Sequence, residues 1–376
     1  MVKKISIILL LTLGLVGCSK TKEYEWTINV PFAEGIAVAK IDDSYKVIDK
    51  AGNVVIDGKD DTTFKGYGDG LVAFEKGGKY GFMDFEGNVI IKPIYDNAKA
   101  FSEGLAGVQI KDKWGFIDKE GNTIVEPIYE WVGLFIDGVA EVELNKQCGY
   151  INKEGKIIVN TVYTKTRAIR EGLRCVLLNG KWLFIDKEGK VVIESQFDNV
   201  GDFSEGLADV TNDDFIYGFI NKEGKVVIEP QFDNVASCGF KEGLVSVEIE
   251  KKWGAIDKAG KIVIQPQFDD LDQFSEGMAK VKVDDKYGFI NKEGKVIIEP
   301  KFDEASAFEN GVAKVKVDDK YGFINKDGKI VIEPQFDKIS AYGFENEVAI
   351  VTIGEKKGLI DKTGKIVVAP KFDDIY

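Results

Sequence analysis

Glycine recurs in this chain at a fixed phase, and no other feature narrows the possible folds as far. Gly35, Gly70, Gly104, Gly138, Gly172, Gly206, Gly243, Gly277 and Gly311 follow one another at 34–37 residues, with Glu347 in the tenth place. A second glycine stands eleven residues later at Gly81, Gly115, Gly149, Gly254, Gly288, Gly322 and Gly358. Gly218 comes one residue late, and Lys46 and Leu183 hold that slot in two irregular units. A third glycine follows six residues on in every unit, from Gly52 to Gly364, and six further lies Pro93, Pro127, Pro230, Pro266, Pro300, Pro334 or Pro370. Repetition at this period means stacked supersecondary modules sharing a continuous core, not one ordinary domain.

The unit is clearest at Gly277–Pro300. Met278–Val283 alternates, with Ala279, Val281 and Val283 on one face and Met278, Lys280 and Lys282 on the other, the pattern of a half-buried strand. Asp284-Asp285-Lys286 is a polar turn, and Tyr287–Asn291 a second strand. Asn291–Gly294 is a hairpin loop whose glycine takes the left-handed conformation. Lys295–Glu299 is a third strand, apolar on both faces through Val296, Ile297 and Ile298, which Pro300 ends for want of an N–H.

These residues resemble the bacterial WG-repeat family. The name-giving pair is literal at Trp114-Gly115 and Trp253-Gly254, and appears as Tyr-Gly at Tyr80, Tyr217, Tyr287 and Tyr321. The phrases GFIDKEGK, EPQFD and FSEGLA match as well. The resemblance covers about residues 31–376 and implies a tandem β-repeat protein, often exported, with no catalytic residues to carry over.

A lone three-stranded sheet of this size cannot fold, so neighbouring units must cover one another. The expected fold is all-β, a tandem array of about ten antiparallel three-stranded repeats. Two assemblies satisfy it: an open solenoid or superhelix, and a closed propeller-like ring. Ten units exceed the usual number of blades, and the degenerate first unit reads as a cap, so the open array is preferred. Against it, the chain ends on Phe372-Asp373-Asp374-Ile375-Tyr376 and the repeats begin on Pro31-Phe32-Ala33-Glu34-Gly35, which together would complete one connector.

Residues 1–17 carry two lysines and then an apolar run, the pattern of a secretory signal and too short for a membrane span. The run ends Leu15-Val16-Gly17-Cys18, a lipobox, so Cys18 is expected to be lipidated and to tether the chain to a membrane outside the cytoplasm. Residues 18–30 are the tether and 31–376 the repeat array. The chain is acidic, with net charge −13, which disfavours nucleic acid and suits a basic partner. It has no histidine, which removes the Ser-His-Asp triad and the commonest metal ligand.

Units four and five break the pattern. Cys148 takes the aromatic slot, Thr161 the proline slot, and Trp182-Leu183 replaces the aromatic–Gly pair. Arg167, Arg170 and Arg174 cluster there in an otherwise acidic chain, and with Trp182 they form the candidate binding surface. Cys148 and Cys175 could meet across adjacent units in an exported protein, although spacing alone does not place them in bridging range. The acidic pairs Asp42-Asp43, Asp213-Asp214, Asp284-Asp285 and Asp318-Asp319 lack the spacing of a calcium loop and read as turns. Asp233, Asp269, Asp303 and Asp337, after the connector aromatic, read as turn caps. The repeat aromatics Tyr80, Trp114, Trp253, Tyr287 and Tyr321 could stack sugars, but read as packing residues.

The expected function is a lipid-anchored, non-enzymatic surface scaffold that binds a protein through its repeat face, without metal or cofactor. A glycan- or cell-wall-binding module is the alternative. A hydrolase with carboxylates in a central channel comes last and requires ring closure.

Overall fold

The computed structural model describes residues 31–58, 62–212 and 215–376. The signal, the tether with Cys18, and the Asp213-Asp214 pair lie outside the described residues. The rest forms ten four-stranded antiparallel sheets, one per repeat.

Blade eight shows how the sequence makes one sheet. Its strands are Asp270–Leu271, Met278–Val283, Lys286–Asn291 and Val296–Phe302, paired in chain order. The first strand corrects the three-stranded expectation. The dipeptide after the connector aspartate pairs Asp270 with Lys282 and Leu271 with Val281, too short a stretch to show any alternation. Residues 272–277 join the first and second strands and end in a two-residue turn, bracketed by the Ser275–Met278 bridge, in which Glu276 (φ 54°) and Gly277 (φ 81°) are both left-handed, the type I′ geometry that matches strand twist. Asp284 and Asp285 (φ 46° and 63°) make the next turn in the same way, so these acids are turn residues.

The fourth strand does not stop at proline. It runs through Pro300 to Phe302, with a register shift on either side of Phe289. Proline is tolerated because this strand is the outer edge of the blade, where a missing N–H leaves no partner unsatisfied. For the same reason Ile297 needs no cover: it is 39% exposed, as are its counterparts around the rim. The bulge brings the fourth strand's backbone hard against Gly288. A Cβ there would lie 2.5 Å from the Ile298 carbonyl oxygen and 2.6 Å from the Pro300 nitrogen. The glycine of the repeat dipeptide is therefore required by backbone crowding. The two exceptions fit. In blades one and five the fourth strand is only Val54–Asp57 or Val191–Glu194, and Lys46 pairs with Asp57 and Leu183 with Glu194 without the fold-back.

The array closes, and the preferred open assembly is corrected to the ring alternative. The first sheet, Ile36–Ile41, Ser44–Asp49 and Val54–Asp57, takes its missing strand from the chain's other end, Asp374–Ile375. Ala39 pairs with Ile375 and Lys40 with Asp374, and Val38 and Tyr376 exchange N–H···O bonds of 2.9 and 2.8 Å. Ala37, Ala39 and Ile48 share a core with Ile350, Leu359, Val368 and Phe372 of blade ten. The first repeat is thus no cap. It diverges because its fourth strand ends early and its first strand is supplied from afar.

Adjacent blades are locked by two recurring devices. The first is aromatic: a phenylalanine on the third strand meets one from the next blade's first turn, as in Phe82–Phe101, Phe116–Phe135, Phe184–Phe203, Phe219–Phe240, Phe289–Phe308 and Phe323–Phe344, with centroids 4.7–5.1 Å apart. Edge-on pairs of this kind add roughly 0.5–1.5 kcal/mol beyond area burial. The second is polar. Glu242 accepts the Gly277 N–H at 3.0 Å and pairs with Lys292 at 3.0 Å, both on the next blade. Glu103, Glu171, Glu205 and Glu276 repeat the arrangement. Desolvation raises the Glu242 pKa, but the Lys292 and Gly277 bonds outweigh it and hold the carboxyl below its usual range.

A carboxylate depressed in this way stabilises the fold above its unfolded pKa, and that gain disappears as pH falls through the folded value. Glu242→Ala is therefore expected to lower stability by about 1 kcal/mol at pH 7, a small figure because the pair is part-exposed. At pH 3 the variant and the parent should have converging unfolding midpoints. A deficit unchanged between the two pH values would contradict the staple.

Candidate functional site

Three slots lie side by side across each blade. One is the third position from the start of the first strand, the second lies on the second strand three residues after the turn glycine, and the third is the repeat-aromatic position on the third strand. In five blades a cation from one of the first two slots stands over that aromatic. Lys65 lies over Tyr80 at 5.3 Å, Lys99 over Trp114 at 5.2 Å, and Arg167 over Trp182 at 5.0 Å. Lys280 lies over Tyr287 at 5.2 Å and Lys314 over Tyr321 at 5.8 Å. Cation–π contacts of this kind are worth about 0.5–2 kcal/mol, more when desolvated. Tyr80, Trp114 and Trp182 are buried, whereas Trp253, Tyr287 and Tyr321 keep partial exposure. The Tyr80 and Tyr321 hydroxyls donate to Glu75 and Glu304 at 3.0 and 2.6 Å.

The irregular sector spans blades four, five and six. Blade four is Trp131–Val132, Val139–Leu144, Gln147–Asn152 and Ile157–Tyr163; blade five is Lys165–Arg170, Leu173–Leu178, Lys181–Ile185 and Val191–Glu194. Blade six is Asn199–Val200, Leu207–Thr211, Tyr217–Asn221 and Val226–Phe232. Between four and five the aromatic lock is rebuilt. The partner phenylalanine becomes Ile169, the small residue after the turn becomes Arg174, and the third-strand ring is Tyr150. The Arg174 guanidinium fills the gap, stacked 3.1 Å from the Tyr150 centroid. It is 6% exposed, and its Nη1 has no hydrogen-bond partner.

Glu141 faces it from the second strand of blade four. Its carboxylate accepts from Thr166 Oγ1 at 2.5 Å and from the Tyr150 hydroxyl at 3.1 Å. Burial pushes the Glu141 pKa up to about 7, against the opposing pull of Thr166 and Arg174.

The next seam carries Arg167. Its Nη1 donates to the Val200 carbonyl at 2.8 Å and lies 3.8 Å from Asp202. Burial raises the pKa of Asp202, and pushes Asp209 on the second strand of blade six up to about 6. Cys175 lies buried in the same seam and is a free thiol, its pKa raised to about 12 by burial. The Cys148–Cys175 bridge left open above therefore does not form.

The four candidate residues do not make one basic surface. Arg167 and Trp182 come together in the seam between blades five and six. Arg174 is buried on the other side of the blade and is not a surface residue. Arg170, part-buried on the first strand, adds positive charge near Asp202. Sequence reasoning missed Glu141 and Asp209. Both stand three residues after the turn glycine, where other units have Lys280, Lys314 or Ser246, so the signal was there: acids in a slot that is otherwise basic or neutral.

The geometry defines a closed ten-bladed ring of four-stranded sheets whose polar, aperiodic residues gather in blades four to six. The chain belongs to the WG-repeat family: the family model described as "WG containing repeat" matches nine consecutive segments from residue 80 to residue 376. Among curated proteins no sequence matches. Among solved structures the chain is similar to a eukaryotic initiation factor, at 9% identity and TM-score 0.49, over 91% of this chain and 97% of that one. It is also similar to AztD from Citrobacter koseri, at 12% identity and TM-score 0.38, over 90% and 96%. BamB from Moraxella catarrhalis is a third, at 12% identity and TM-score 0.34, over 71% and 91%. Nothing about this chain's partners follows from likenesses that weak.

Proposed function

We propose that this chain is a lipid-anchored, non-enzymatic scaffold outside the cytoplasm, which binds a protein partner at the irregular sector of its ring. The observation that carries this reading is the placement of non-repeating charge. Elsewhere acids and bases recur in phase and pair across neighbouring blades, which accounts for them as structure. Arg167 shares its slot with Lys65 and Lys99, but Glu141 and Asp209 are acids in a slot that is otherwise basic or neutral, and with Arg174 and Asp202 these charges gather in three consecutive blades. Buried ionised groups are costly, and sites that keep them are candidates for recognition. Burial raises the carboxyl of Glu141 in one seam and those of Asp202 and Asp209 in the next, where Arg167 stands beside them.

The anchor rests on the lipobox ending at Cys18. Metabolic labelling with an alkyne fatty acid tests it: label and membrane fractionation should both be lost in Cys18→Ala. The partner is tested by cross-linking in the native host, comparing the parent with an Arg167→Ala/Asp209→Asn variant of unchanged fold. The reading predicts a protein captured by the parent and lost in the variant. Identical capture by both would remove the irregular sector from binding. Retention on peptidoglycan or polysaccharide in place of any protein would move the reading to a glycan.

A further inference from the structure

The ring is its own control. In blades two, three and five the third position from the start of the first strand is Lys65, Lys99 or Arg167, and its cation covers the blade's repeat aromatic. In blades eight and nine Lys280 and Lys314 do so from the second strand. Blade six has the aromatic, Tyr217, part-exposed, but both cation slots are altered. The first holds Gly201, and the second holds Asp209. The Asp209 carboxylate leans over the bare Gly201 Cα, where a Cβ would overlap it. Burial raises the Tyr217 phenol's pKa, and the Asp209 charge raises it further. Among the described residues no lysine or arginine stands over Tyr217. The charge of Arg167 reaches Asp209, but its guanidinium is already committed to the Val200 carbonyl, the Trp182 ring and Asp202.

We propose that the Tyr217–Asp209 slot of blade six receives an alkylammonium or guanidinium group from outside the chain, presented by a lysine or arginine side chain of the partner protein. The proposal rests on the protein-binding reading above, and it names the chemistry that reading lacks. An aromatic face next to a desolvated carboxylate is the arrangement that holds organic cations. Burial without a dedicated counter-charge keeps the Asp209 carboxyl near 6, a cost that an incoming cation offsets. The surplus of acid over base in the chain, at −13, favours approach of a basic surface.

Calorimetric titration of the full chain tests this, with a tetralysine peptide, agmatine and spermidine as probes, at a salt concentration that screens surface attraction. The expected result is peptide binding weakened at least tenfold by Asp209→Asn and several-fold by Tyr217→Leu. Asp43→Asn, which removes one exposed turn charge far from the slot, should leave it unchanged. Gly201→Lys puts a built-in cation where blade three has Lys99. The new Cβ overlaps the Asp209 carboxylate, which must swing aside. Where the variant keeps a cooperative unfolding transition it should abolish binding, and Asp209→Asn, which adds no bulk, carries the test where it does not. Agmatine or spermidine binding as tightly as the peptide, with the same variant pattern, would keep the cation slot and overturn the protein side chain as its source. Binding undiminished in both Asp209→Asn and Gly201→Lys, or no binding of any probe to folded parent, would overturn the slot itself.

Discussion

Replacing Gly288 with alanine is expected to destabilise the ring by about 3 kcal/mol or more, the range of substitutions that force a buried backbone apart. The new Cβ would sit 2.5–2.6 Å from the Ile298 oxygen and the Pro300 nitrogen, both backbone atoms that cannot rotate away. The outer strand would have to lift off the sheet there, taking with it the Tyr287–Phe302 pairing that ends it. Gly277→Ala is the matched control. Its φ is +81°, but nothing lies within 4 Å of its Cβ position, so it should lose only about 1 kcal/mol through left-handed strain. Denaturant midpoints of the two variants separate crowding from conformational strain. Equal losses would mean that the bulged outer strand is not the reason for the repeat glycine.

The second large effect is expected at Arg174. Arg174→Ala should lose about 3–5 kcal/mol, because it opens the space against Tyr150 and strips Glu141 of the cation that faces it. The loss should be recoverable. Adding Ile169→Phe restores the aromatic lock found in the neighbouring seams, and adding Glu141→Gln removes the orphaned charge. The triple variant should regain most of the lost stability, with strong non-additivity among the three positions. Glu141 also gives this seam a pH signature. A carboxyl raised to about 7 favours the folded state most below its unfolded pKa, and that advantage is lost as pH climbs toward 7. This runs opposite to the Glu242 staple, so the Glu141→Gln change should alter the slope of stability with pH between about 4 and 7. If the triple variant were no more stable than Arg174→Ala alone, the seam could not be described as a packing exchange.

Much of this was legible in the residues, and the failures have physical causes. The glycine phases mark turns correctly: Gly294 has φ 78° in its hairpin, and Gly277 with Glu276 forms the turn ahead of the second strand. The connector aspartates do cap turns, but at long range. Asp269 accepts the Asp284 N–H at 3.0 Å while binding Lys252 of the preceding blade at 2.6 Å, so it links two blades. The inner strand went unseen because two residues, such as Asp270–Leu271, carry no period. Pro300 was read as a stop because a proline's effect depends on whether the strand is central or at an edge, which is a property of the assembled blade. Closure was visible as complementary chain ends, yet it was outweighed by the divergence of the first repeat. The arginines were noticed as a surplus of charge. Their roles depend on which neighbour each faces: Trp182 and Asp202 for Arg167, Tyr150 for Arg174.

Closure of the ring decides whether blade one is completed by the chain's end. Spin labels at Asp43 and Glu355 occupy equivalent turn positions on blades one and ten, as labels at Asp285 and Asp319 do on blades eight and nine. Pulsed dipolar distances should match between the two pairs, since in a closed ring both span one seam. A distance for Asp43–Glu355 several times that of Asp285–Asp319 would show an open array and contradict the ring.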